Sequence, residues 1–260
     1  MRSESIELFD SHAHYEDNRF EEDAEEVIVQ AYEKGVKYIL NAGSDIDTSK
    51  KSIELAEKFD YVYAAVGVHP HEAGKLKDDD ETEIRELCKH PKVVAIGEIG
   101  LDYYYDHSPR DLQRYWFSKQ LKLAKELNLP VIIHDRDAHE DVLNIVKQEA
   151  PFEAYGVFHC FSGSWEMAKE VLKLGFYISV GGSLTFKNAR KTVEVIKNIP
   201  LESVLLETDC PYLTPEPFRG RRNDSSYVRL IAEKIAQIKG ITLEQVAKST
   251  TDNTKRFFKI

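Results

Sequence analysis

The chain has 260 residues, 42% of them hydrophobic, which is enough for one large domain with a substantial core. A net charge of −10 argues against gripping a long duplex through a basic face, but it leaves room for a local basic patch or for bound cations. No apolar run is long enough to span a membrane. The start of the chain (Arg2, Glu4, Glu7) has no apolar leader core, and Cys88, Cys160 and Cys210 are too few for a disulfide framework, so a cytoplasmic protein with buried free thiols is expected.

Short apolar runs alternate with helical spacing along the chain. Ile6–Phe9 stops at Asp10 and is followed by Ser11-His12-Ala13-His14. Val36–Leu40 ends at Asn41-Ala42-Gly43, and Val62–Val68 ends at His69-Pro70-His71. Val93–Ile96 runs into Gly97-Glu98-Ile99-Gly100, and Val131–Ile133 into His134-Asp135-Arg136. Gly156–Phe158 precedes His159-Cys160, Phe176–Val180 precedes Gly181-Gly182, and Val204–Leu206 precedes Glu207-Thr208-Asp209.

Between these runs, Phe20, Ala24, Val27, Ile28 and Ala31 share one helix face. Ser108, Pro109 and Asp111 read as a helix start, with Leu112, Tyr115, Trp116, Leu123 and Leu127 as the buried side of the helix that follows. Val228, Ile231, Ala232, Ile235 and Ile238 mark another helix, which Gly240 stops. Thr242 and Gln245 then fit a capping box for the last helix.

Eight strand signals separated by helices point to an α/β fold, a (β/α)8 TIM barrel, as one domain over residues 1–260. An open doubly wound sheet is the rival. That fold usually carries a glycine-rich phosphate turn after its first strand, where this chain has His-Ala-His.

The active site of such a barrel lies at the C-terminal ends of its strands. His12 and His14, at i and i+2, share a face in extended backbone. Glu98, His134, His159 and Asp209 each follow another apolar run. Four imidazoles and two carboxylates suit two divalent cations, with Glu98 able to bridge them through its two oxygens. A cation-held water loses a proton near neutral pH, and Asp209 is placed to accept it. Burying so many titratable groups without a cation or a function would be costly.

Five phrases resemble the TatD-type deoxyribonucleases of the metal-dependent amidohydrolase-like barrels. They are Phe9-Asp10-Ser11-His12-Ala13-His14, Gly97-Glu98-Ile99-Gly100-Leu101-Asp102, Ile133-His134-Asp135-Arg136, Phe158-His159-Cys160-Phe161-Ser162-Gly163 and Leu206-Glu207-Thr208-Asp209-Cys210-Pro211-Tyr212-Leu213. The likeness runs from Asp10 to the Asn253-Thr254-Lys255-Arg256-Phe257 tail. It implies a hydrolase of DNA phosphodiester bonds with two metals (Mg2+, Mn2+ or Zn2+). One ion would take His12, His14, Glu98 and Asp209, and the other Glu98, His134 and His159. The mixed donors permit zinc or manganese more readily than magnesium. The family often reads Arg-Gly-Lys-x-Asn-x-Pro after the eighth strand. Here Arg219-Gly220-Arg221-Arg222-Asn223-Asp224-Ser225 lacks the proline, which puts the stiffness of that loop in question.

His69-Pro70-His71 repeats the i, i+2 spacing, but proline disrupts strand geometry, so His69 is read as substrate-facing or supporting and His71 as structural. Arg136 suits either a phosphate oxygen or an ion pair. Arg219, Arg221 and Arg222 suit a phosphate backbone near the mouth. Tyr103, Tyr104 and Tyr105 are able to stack on unpaired bases, though a role in covering the rim is preferred. His90 and His139 read as surface residues, and Cys160 and Cys210 as packing residues turned away from the metals.

The expected activity is exonucleolytic trimming of single-stranded or frayed DNA ends. The alternative is an amidohydrolase or esterase acting on a small molecule or an aminoacyl ester. No surface stripe in the sequence fixes an oligomeric state.

Overall fold

The computed structural model describes residues 6–152 and 156–260; Arg2 and Glu4 lie outside them. Eight parallel strands run in sequential order: β1 (Leu8–Ala13), β2 (Val36–Ala42), β3 (Val62–Val66), β4 (Val93–Asp102), β5 (Val131–Arg136), β6 (Gly156–Phe158), β7 (Tyr177–Val180) and β8 (Val204–Leu206). The helices between and after them are α1 (Ala24–Glu33), α2 (Ile46–Lys58), α3 (Asp80–Leu87), α4 (Arg110–Leu127), α5 (His139–Glu149), α6 (Trp165–Lys173), α7 (Arg190–Asn198), α8 (Val228–Lys239) and α9 (Leu243–Phe258). A parallel bridge between Ala13 and Cys210 joins the first strand to the chain just past the eighth. This is the (β/α)8 barrel that the alternation implied. Among the described residues no helix is long and apolar enough to cross a membrane.

Four strands outrun their apolar stretches, β2 by Asn41 and Ala42. β1 continues through Asp10 to Ala13, β4 to Asp102 and β5 to Arg136. The polar extensions remain in the ladder, with Gly100, Leu101 and Asp102 opposite His134, Asp135 and Arg136. Several candidate site residues therefore lie within strands rather than after them. Gly100 permits this pairing. It has φ +149°, and a Cβ there would stand 1.9 Å from the His134 carbonyl oxygen.

Every strand contributes to a compact inner cluster that includes Phe9, Leu40, Ala65, Ile132, Val157, Tyr177 and Leu205, together with Phe257 and Phe258 of α9. The last helix thus plugs the end of the barrel opposite the polar strand ends. Its start carries the expected capping box, Thr242 with Gln245. Phe20 stands apart from α1, in a short 3-10 turn (Asn18–Phe20) capped by Asp17.

The buried face of α4 differs from the one expected. Tyr115 is exposed, and Gln113 and Gln120 are buried instead. Their amides clip strand ends: Gln113 accepts from the Asp102 N–H and Gln120 from the Val68 N–H, at 2.9 and 2.8 Å. Hydropathy patterning misses such residues because their polarity is used against backbone rather than water. Ser108 does not cap α4 either. Pro109 holds that position, while the Ser108 hydroxyl receives the Gly74 N–H and donates to the His71 carbonyl.

Candidate metal centre

The seam between the first and last strands assembles one half of the site. The His14 N–H donates to the Cys210 carbonyl and the Asp209 N–H to the His12 carbonyl, at 2.8 and 2.9 Å. These bonds fix Asp209 beside both histidines. The two imidazole Nε2 atoms converge to 3.0 Å, and Asp209 Oδ1 lies 3.5 Å from His14 Nε2 and 4.0 Å from His12 Nε2. His14 Nδ1 faces the Ala42 carbonyl (2.8 Å) and Glu16 (3.1 Å), which places the ring proton there and leaves Nε2 to face the site.

Glu98 divides the centre. Its Oε2 faces the seam half, 3.4 Å from His12 Nε2 and 3.6 Å from His14 Nε2. Its Oε1 faces the other half, 2.6 Å from His134 Nδ1, 2.8 Å from His159 Nε2 and 3.5 Å from His69 Nε2. The four histidines predicted as ligands therefore surround the Glu98 carboxylate, and Asp209 joins them beside His14 and His12. His69 joins them as closely as a ligand would, and is grouped with Glu98 and His134. The His12 and His159 rings stack at 4.1 Å.

Charge in this cluster is strongly coupled. Burial pushes Glu98 upward, but the imidazoles of His159, His69, His12 and His134 outweigh it and hold the carboxylate well below its usual range. Burial opposes charge on His14 and His159 too, yet Glu16 and Asp209 at the first, and Glu98 and Glu207 at the second, hold both well above the ordinary histidine value. Burial wins at His69, driving it well below, and at His12, where the neighbouring His159 adds to it. Burial also raises Asp209, but the bond to His14 overcomes this and keeps it ionised.

The donor set fits divalent cations. Two imidazole nitrogens 3.0 Å apart suit a shared ion better than each other. Buried polar atoms at His12 Nδ1, His159 Nδ1 and Glu207 Oε2 have no hydrogen-bond partner among the described residues, so the cluster is not a self-satisfied polar network.

Besides Glu16, two supporting carboxylates were not singled out from sequence. Asp102 Oδ2 lies 3.1 Å from His134 Nε2 and 2.8 Å from His71 Nε2, so His71 supports the site through Asp102. Glu207, fully buried, accepts the Cys160 N–H and lies 3.6 Å from His159 Nδ1. A signal existed for both. Asp102 follows Glu98 by four residues on the same strand, an even spacing that repeats a strand face, and Glu207 stands directly after the apolar run of β8, two residues before Asp209.

The expected substrate residues scatter. Arg136 is exposed, with its guanidinium 4.4 Å from the Tyr104 ring centroid. Arg219 lies over Phe186 and Arg221 over Phe218. Arg222 forms a two-pronged pair with Asp23, at 2.9 and 2.6 Å, and also donates to the Arg19 carbonyl. Where the family pattern has proline, the Ser225 N–H donates to Tyr15 Oη (3.0 Å), a bond proline cannot make, and Asn223 donates to the Thr208 and Tyr212 carbonyls. This end of the loop is therefore tied down by side chains. All three cysteines are free, but only Cys210 is buried, so the expectation of three buried thiols is corrected. Cys160 is partly exposed; its N–H is held by Glu207, and its backbone is left-handed (φ 44°), which departs from strand alternation.

The model of the family described as TatD related DNase matches residues 9–259. The "Uncharacterized metal-dependent hydrolase YabD" of Bacillus subtilis (strain 168) is 51% identical over 253 residues, covering 97% of this chain and 99% of that protein. The "3'-5' ssDNA/RNA exonuclease TatD" of Erwinia tasmaniensis is 34% identical, covering 97% of this chain and all of that one. The crystal structure of YJJV, a TatD homologue from Escherichia coli K12, superposes with a TM-score of 0.93 at 32% identity, over 99% of this chain and 100% of that one. Matched by the family model over residues 9–259 and covering these relatives almost end to end, this chain belongs to the TatD-related DNase family of metal-dependent hydrolases.

Proposed function

We propose that the protein is a phosphodiesterase with two divalent metal ions that trims single-stranded or frayed DNA ends in the cytoplasm. The observation that carries this reading is the division of Glu98, whose two oxygens each face a separate set of donors. His12, His14 and Asp209 with Oε2 would hold one ion, and His134 and His159 with Oε1 the other, with His69 alongside. When bound, the ions supply Lewis-acid polarisation of the phosphoryl group and a lowered pKa for the attacking water.

The chain's own groups do the rest. Asp209, kept ionised beside His14, accepts the proton of the attacking water. Asp102 orients His134 through Nε2, so that Nδ1 faces the centre, and Ala42 does the same for His14 from the opposite ring nitrogen. Arg136, Arg219 and Arg221 are the candidate phosphate contacts. Arg222, engaged with Asp23, is the weakest of the four. The family match and the exonuclease name of one relative support a nucleic-acid substrate.

The test is digestion of an end-labelled single strand by metal-stripped protein resupplied with Mg2+, Mn2+ or Zn2+. His12→Ala, Glu98→Ala and Asp209→Ala serve as controls. Stepwise shortening that needs metal and disappears in the folded variants supports the proposal. Cleavage of carboxylic esters or amides, with no cleavage of DNA, would replace it with the esterase reading.

A further inference from the structure

Resting on the phosphodiesterase reading, we infer that Tyr104, Tyr105, His107 and Arg136 form a stacking seat for an unpaired base of the strand whose phosphate enters the metal centre. The three consecutive tyrosines divide sharply. Tyr103 turns inward: its Oη donates to Asp141, Arg114 donates to that oxygen, and Arg110 lies over its ring. Tyr104 and Tyr105 stay 58% and 51% exposed, an unusual state for two adjacent large aromatic rings. Tyr105 stacks on His107, with centroids 5.6 Å apart and planes 18° apart, and Tyr104 meets Tyr105 edge-on at 4.9 Å. Arg136 lies 4.4 Å from the Tyr104 centroid and 5.2 Å from that of Tyr105, putting positive charge on this lip of an acidic protein.

The seat is fixed to the site by one carboxylate. Asp102 Oδ1 accepts the Tyr104 and Tyr105 N–H groups at 3.0 and 2.9 Å, while its Oδ2 lies 3.1 Å from His134 Nε2. The exposed rings are therefore held in register with a residue of the metal centre rather than hung on a free loop. Flat rings with a guanidinium match the chemistry of an unpaired nucleobase next to its phosphate, and stacking of this kind tolerates any base. A paired base inside a duplex offers no free face to such a seat, which favours single strands or frayed ends.

The experiment compares short single strands that differ only in one base-less residue scanned near the 3' end, using the wild type and Tyr104→Leu/Tyr105→Leu. Binding is read by anisotropy, and stacking by quenching of a 2-aminopurine placed at the scanned position. Wild type should bind the base-bearing strand about tenfold or more tightly than the base-less one, with quenching, and the double variant should lose the preference and the quenching. A general structural defect would weaken both strands alike and leave their ratio unchanged. A preference that survives in the variant, or a wild type that shows none, overturns the seat. Hydrolysis of bis(p-nitrophenyl) phosphate by the wild type, a diester with no nucleobase, tests the phosphodiesterase reading separately. Hydrolysis without a base preference overturns the seat alone, whereas neither hydrolysis nor strand binding overturns both.

Discussion

The two halves of the metal centre are built differently. On the Oε2 side of Glu98, His12, His14 and Asp209 are positioned chiefly by backbone hydrogen bonds along the seam that closes the barrel, with Glu16 beside the Ala42 carbonyl at His14 Nδ1. On the Oε1 side, His134 and His159 lean on side-chain carboxylates, Asp102 and Glu207, that arrive from β4 and from just past β8. A ligand held by backbone resists point substitution of its neighbours, while one held by another side chain does not. Substitution of Asp102 or Glu207 should therefore damage the Oε1 side selectively.

The largest effect is expected from Glu98→Gln, because Glu98 is shared by both halves. Metal content should fall on both sides and activity by more than about a hundredfold, beyond the loss typical of residues that only orient a ligand. Elemental analysis of dialysed protein checks this.

Next comes Asp102→Asn, which should cost about ten- to a hundredfold in affinity for one ion while the other is kept. Calorimetric metal titration would show one weakened and one unchanged binding step. Equal weakening of both would erase the proposed asymmetry.

Gly100→Ala sharpens the comparison from the backbone side. Its Cβ would meet the His134 carbonyl, so it should destabilise by about 2 kcal/mol or more, read by urea denaturation.

A pH test bears on both halves. His14 and His159 are held protonated above their ordinary range in the metal-free chain, so an ion must displace those protons to bind. Apparent metal affinity should therefore keep rising with pH above about 6.5, where an ordinary histidine has already lost its proton, by up to about a hundredfold per unit where both protons leave, and should level off above the raised values. Titrations in buffers of different ionisation enthalpy would count the protons released.

The smallest effect belongs to Arg222→Ala. Its exposed pair with Asp23 should be worth less than about 1 kcal/mol, and DNA affinity should change less than in Arg219→Ala.

The barrel and the six candidate ligands were legible because both follow from short-range pattern. Buried strands read as apolar runs, and the polar residues at their ends stand out against them. What escaped the sequence depends on partners far apart in the chain. The engagement of Arg222 with Asp23 leaves no trace in local spacing, and neither does the bond from Ser225 to Tyr15 that ties down the loop where proline was expected. The buried glutamines of α4 were hidden for a different reason: their amides bond to strand-end backbone, so a helix face that hydropathy marks as solvated is turned inward, and Tyr115 outward.

The central claim is that one carboxylate, Glu98, joins two cation sites. Electron paramagnetic resonance of metal-stripped protein titrated with Mn2+ tests it most directly. The account predicts two ions per chain and an exchange-coupled spectrum at saturation, with the coupling lost in Glu98→Gln. A single, uncoupled Mn2+ per chain in the folded wild type would contradict it.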